Sequence, residues 1–101
     1  MYKTVQDGHF RHIILFKIRD NVDNEKIDAA VHLLKQLGEG NEDILEWEVE
    51  KSLDSRKGIV IVENSLFTNK GALDAFSSSE KHKKVGEFMK QISDWLIGDY
   101  V

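Results

Sequence analysis

The sequence predicts an α+β domain, one four-stranded antiparallel sheet with helices packed against it. Two observations predict the class and a third predicts how it is used. FRHIILFKI at residues 10–18 and IVIVENSLF at residues 59–67 have strand length and are rich in β-branched and aromatic residues. Between them Ile27, Ala30, Val31, Leu34 and Leu37 recur at helical spacing, and a second helical stripe follows. Both strands also carry apolar residues on both faces, the pattern of central strands covered on two sides. Helices can cover only one side of such a sheet, and a second copy of the same sheet is the simplest cover for the other. A homodimer joined through its sheet faces is therefore expected.

The elements follow in order. In the first strand Phe10, His12, Ile14, Phe16 and Ile18 share one face, and Arg11, Ile13, Leu15 and Lys17 share the other. Asp20 to Asn24 is a turn holding helix N-cap candidates, Glu25 suits the first helical turn, and Gly38 is a natural stop. Ile44 to Leu53 alternates: Leu45, Trp47, Val49 and Leu53 face one way and Glu46, Glu48 and Glu50 the other, as in a half-buried edge strand. Ser55 to Gly58 is a short turn, so the strand from Ile59 to Phe67 is placed as an antiparallel neighbour. Asn69 or Thr68 caps a short helix carrying Ala72, Leu73, Ala75 and Phe76, which the serines at 77–79 interrupt. A longer helix then sets His82, Val85, Met89 and Ile92 on one stripe. Trp95 to Ile97 with Asp99 to Val101 completes the sheet. The order β-α-β-β-α-α-β is a ferredoxin-like split βαβ arrangement, which puts the first and third strands at the centre.

Composition narrows the function. A chain of 101 residues forms one core. With no cysteine it has no disulfide framework, cysteine-ligated zinc or thiol catalysis. A net charge of −4 opposes binding to a phosphate backbone, so no nucleic-acid partner is expected; Lys81, Lys83 and Lys84 read as the solvated face of a helix. Apolar runs such as IILF and IVIV are far too short to span a bilayer, so no membrane partner is expected either. Residues 1–8 read as a polar leader without a signal core and residues 9–101 as the single domain, which points to a cytoplasmic protein. There is no glycine-rich phosphate loop and no EF-hand, and no cofactor is expected. His9 and His12 would point to opposite faces of a strand, so they do not predict a metal site.

With these motifs in place, the chain resembles the stress-responsive A/B barrel (Dabb) family of dimeric α+β barrels. The resemblance rests on the opening strand HIILFKI from His12, the edge strand ending WEVEKS, the third strand reaching Phe67, ALDAF at residues 72–76, His82 followed by Val85, and the terminal Asp99-Tyr100. It implies a dimeric α/β barrel in which two sheets face each other and enclose a cavity. Family members commonly show a His-Pro-x-His type segment; here it reads Ser79-Glu80-Lys81-His82, keeping only the second histidine. A plant branch that cyclises polyketides pairs that histidine with a tyrosine, whose position is Phe76 here. A phenylalanine cannot orient a substrate oxygen, so that chemistry is not expected to carry over.

Two histidines are the site candidates. His82 lies on the apolar stripe of its helix, where a neutral imidazole can serve as acid, base or ligand partner; the competing reading is a packed histidine in a first helical turn. His12 shares the face of Ile14 and Phe16, and the resemblance places its position near the cavity; a satisfied core histidine is the competing reading. The expected pocket is mostly apolar, with Ile14, Phe16, Ile61, Phe76 and Val85 around the two imidazoles. Three readings follow: a homodimer binding a small apolar ligand between sheet and helices, a cofactor-free enzyme of cyclase or monooxygenase type using His82 and His12, or a purely structural oligomer. His32 reads as a polar helix residue, and the Glu46, Glu48, Glu50 row as a solvated edge.

Overall fold

The computed structural model describes residues 8–101; the expected leader therefore lies almost wholly outside the described residues. Its elements are β1 (Phe10–Ile18), α1 (Asn24–Leu37), β2 (Ile44–Lys51), β3 (Val60–Phe67), α2 (Lys70–Ser77), α3 (Glu80–Ile92) and β4 (Ser93–Tyr100). The sheet order is β2-β3-β1-β4 with every neighbour antiparallel, so the two doubly apolar strands are central, as expected. Among the described residues no helix is long and apolar enough to cross a membrane.

Each helix begins on a side chain that satisfies a free backbone N–H, which is what ends the preceding loop. Asp23 accepts from the Lys26 amide (3.0 Å), Asn69 from the Ala72 amide (2.8 Å) and Ser79 from the His82 amide (3.2 Å). The serine run thus divides two helices, with Ser78 closing α2 and Ser79 opening α3. Lys81, Lys83 and Lys84 are exposed on α3, and Lys81 donates to the Gln36 carbonyl near the end of α1 (2.9 Å).

Strand alternation sorts the sheet into a covered face and an open one. Toward the helices three rows cross it: Ser65–His12–Asp99, Glu63–Ile14–Ile97 and Ile61–Phe16–Trp95, taken in the order β3, β1, β4. The core lies between these rows and Ile27, Leu34, Leu73, Phe76 and Met89 of the helices. On the open face Leu15 stands opposite Val62 and Leu96, and Ile13 opposite Asn64 and Gly98. Glu46, Glu48 and Glu50 lie exposed at the β2 side of this face, where Arg11 donates to Glu46 (2.8 Å) and Asn64 (3.1 Å).

Two local expectations need correction. The β2–β3 register slips between Ile44 and Glu46, so Leu45 leaves the inward row and is exposed, and Ile44 packs on the core instead. The strand also stops at Lys51, which leaves Leu53 fully exposed. Gly38 does end α1, as expected, with φ −82° in the ordinary right-handed region. Its side chain is excluded by proximity: a Cβ there would stand 2.3 Å from the Trp47 ring, which is pinned by its Nε1 donating to the Leu34 carbonyl (3.0 Å) and by an edge contact with Phe76. Gly38→Ala is expected to lower stability by about 1–3 kcal/mol, as overpacking does. A denaturant midpoint equal to wild type would show that the ring gives way freely.

Candidate active site in an apolar cavity

β1 is a central strand, so His12 has a neighbour on each side and its ring points at the helices. Across β4 its partner is Asp99, and the two side chains meet, with His12 Nδ1 2.6 Å from Asp99 Oδ1. A carboxylate accepts, so Nδ1 donates; in the neutral imidazole Nε2 is then left with a lone pair. Across β3 its partner is Ser65, whose hydroxyl donates to the His12 carbonyl (3.0 Å), holding the strand rather than the ring.

One row further along, Glu63 also points inward, between Ile14 on β1 and Val49 on β2. It is 2% exposed. Its Oε2 is 4.0 Å from His12 Nε2, too far for a hydrogen bond, and its carboxyl makes no hydrogen bond with any described residue. Burial disfavours the charged form and pushes its pKa up to about 8, so the neutral acid is its favoured form at pH 7. The third group, His82, is fixed by its place in the first turn of α3 and by an edge contact with Phe76, ring centroids 5.1 Å apart. Burial, and after it the charge of a protonated His12, holds its pKa below the usual histidine value.

The three side chains converge on a cavity of about 110 Å³ between the sheet and the helices. Its walls are otherwise largely apolar, with Ile14 and Phe16 from β1, Leu34 and Leu37 from α1, and Val85 and Met89 from α3. Trp95 and Ile97 of the edge strand β4 line it too and are 39% and 54% exposed, which makes theirs the solvent side. An apolar chamber with a few convergent polar groups is the ordinary form of a small-molecule site. Among the described residues no group of three or more His, Asp or Glu side chains is placed to hold a metal ion.

Of the residues singled out from sequence, His12, His82, Ile14, Phe16 and Val85 all line this cavity. Ile61 and Phe76 do not. Ile61 is fully buried in the core below it, and Phe76 is enclosed by Trp47, Phe67 and His82, behind the wall rather than in it. His32 is exposed on α1. Sequence reasoning missed Glu63 as a site residue, and it treated Asp99 only as part of a terminal motif. The signal for Glu63 was present: the alternation that turns Ile61 and Phe67 inward turns residue 63 inward as well, and an acid mid-strand on the covered face is costly without a purpose.

No curated protein sequence matches the chain. Solved structures match it over nearly its whole length. A dimeric ferredoxin-like protein of unknown function from Thermobifida fusca superposes with TM-score 0.84 at 14% identity, covering 98% of this chain and 96% of that one. A dimeric protein of unknown function from Bacteroides fragilis gives 0.79 at 22% identity (93% and 96%), and the hydroxynitrile lyase of Passiflora edulis 0.78 at 18% (94% of each). At these identities the likeness carries the fold and not the chemistry. The description stress responsive A/B barrel domain fits residues 10–101, nearly the whole chain, and the chain therefore belongs to that family.

Proposed function

We propose that this chain works as a homodimer joined through its open sheet faces, each subunit holding one small, mostly apolar molecule in the cavity between sheet and helices. The observation that carries the ligand reading is the cavity itself, apolar on most sides and met by His12, Glu63 and His82. Its volume of about 110 Å³ is of the order of engineered cavities that take up benzene, so the ligand body is ring-sized. The dimer reading draws on the exposed apolar residues of the open face and on neighbours described as dimeric.

Gly86 offers a test of the cavity. It lines the chamber from α3, and a Cβ added there meets no atom within 4 Å. Gly86→Leu should extend into the chamber from a Cβ that meets no neighbour, and loss of a mid-helix glycine should raise stability by about 0.5–1 kcal/mol. Wild type is expected to bind toluene in an NMR titration with shifts around Val85 and Met89, and the folded variant to lose that binding. Equal toluene affinity in both proteins would place the ligand elsewhere.

A second reading, a cofactor-free enzyme using His12 and His82, is favoured by the short Asp99–His12 contact. It orients a base toward a water-poor chamber, the arrangement general base catalysis requires. The plant-type cyclisation has no support here, because Phe76 carries no hydroxyl and lies behind the cavity wall.

A further inference from the structure

The polar end of the cavity is unequal in a way that specifies a ligand. Asp99 occupies one nitrogen of His12 and leaves the other free. Glu63 has a carboxyl that is almost wholly buried, lines the cavity and has no hydrogen-bond partner among the described residues. A buried carboxyl left unpaired costs on the order of 1–3 kcal/mol, which a ligand that pairs it would recover. The two facing atoms, His12 Nε2 and Glu63 Oε2, are 4.0 Å apart. One oxygen atom can sit at hydrogen-bond distance from both.

Resting on the ligand-binding reading above, we propose that Glu63 and His12 together hold a single hydroxyl group of an uncharged, ring-sized apolar ligand. Glu63 donates to the hydroxyl oxygen, and the hydroxyl donates to His12 Nε2. Alcohols, phenols and enols have the required donor and acceptor on one atom. A carbonyl satisfies Glu63 alone, and a hydrocarbon satisfies neither. A carboxylate ligand would bring a negative charge to a chamber that Asp99 borders through His12.

The donor role needs the proton on Glu63, so binding is pH-dependent. The titratable groups facing Glu63 are His12 from β1, Asp99 of β4 acting through His12, and His82 from α3. Helix α1 presents only Leu34 and Leu37 to the chamber, and the sheet neighbours of Glu63 are Ile14 and Val49. None of them is a fixed cation, and burial sets the direction in which Glu63 is shifted.

The test uses cyclohexanol, cyclohexanone and toluene as probes, titrated by NMR into the full chain at pH 7 and pH 9.5. At pH 7 wild type should bind cyclohexanol about tenfold more tightly than toluene, with cyclohexanone between them, as one or two modest hydrogen bonds imply. At pH 9.5 the ketone should lose its advantage, because its oxygen then faces a carboxylate. Glu63→Gln retains an N–H donor and should keep the ketone advantage at both pH values. In Glu63→Leu cyclohexanone should fall to the level of toluene, and cyclohexanol should keep only the part of its advantage that donation to His12 Nε2 supplies. Oxygenated probes no better than toluene in wild type, or a ketone advantage that survives pH 9.5 or Glu63→Leu, would overturn the proposal while leaving the apolar cavity intact. Failure of wild type to bind any of the three would overturn the ligand-binding reading and this proposal with it. If Glu63→Leu does not fold, the wild-type pH comparison decides alone.

Discussion

Glu63→Gln is expected to be markedly more stable than wild type at pH 9 and nearly equal to it at pH 4.5. The cause is linkage. Glu63 holds its proton up to about 8 in the folded protein, whereas an unfolded chain releases it near 4.5. Between those values the native state binds a proton that the unfolded state does not. The contribution of the group to stability is therefore complete below about pH 4.5, falls as pH rises toward 8 and is flat above. A gap of that size corresponds to about 3–5 kcal/mol, the lower figure applying where the chamber opens to let water reach the charge. Glutamine fills the same space with no proton to lose, so it lacks the slope. His82 acts in the opposite sense: its lowered pKa adds stability that is lost as pH falls below the usual histidine value. Both proteins share that slope, and it largely cancels in their difference. Urea midpoints at pH 4.5, 7 and 9, at one protein concentration, measure the effect. A wild-type minus variant difference that stays constant with pH would mean that water solvates the carboxyl in the folded state.

The sheet and the site were legible in the sequence to different degrees. Strand identity, helix faces and the central place of β1 and β3 follow from alternation and periodicity, because each is a repeated local pattern that burial imposes on many residues at once. His12 and His82 could be picked out because a polar ring interrupts an apolar stripe. What escaped depends on events with no repeat. A single register slip at Ile44 and Glu46 sends Leu45 outward, and nothing in ILEWEVEKSL distinguishes it from a clean alternation. The Asp99–His12 contact joins residues far apart in sequence and exists only once β4 pairs with β1. Phe76 and Ile61 do lie inside, as their patterns say, but the line between core and cavity wall is drawn by packing distances that pattern does not encode. Gly38 is a glycine for the sake of the Trp47 ring, a contact across the α1–β2 connection and not a turn rule.

Leu15→Asp is expected to give a folded monomer, while Ile14→Asp, one residue away, should give no folded protein. The contrast follows from alternation in β1. Ile14 points into the core opposite Glu63 and Ile97 and is 6% exposed, so a carboxylate there is an unpaired charge beside a buried acid. Leu15 points to the open face and is 43% exposed in the single chain, so the monomer tolerates a charge at that position. Around it Leu96 and Tyr100 are also exposed, at 75% and 58%, with Ile13 and Val62 half-buried between them. An apolar patch at the centre of a sheet, with acids at its margins (Glu46, Glu48 and Glu50 on β2, Asp94 at one end of β4), is the form of an interface core. A two-fold interface presents each residue twice, so Leu15→Asp buries two carboxylates. At roughly 2 kcal/mol or more for each, the dimer dissociation constant should rise by about 10³ or more. Light scattering at micromolar concentration should find wild type at twice the chain mass and Leu15→Asp at the chain mass, with wild-type-like circular dichroism. Leu96→Asp should repeat the result from the edge strand. If wild type runs as a monomer, or if Leu15→Asp and Leu96→Asp both remain dimers, the open face is not the interface. The apolar centre of the sheet would then have to be covered by a different partner.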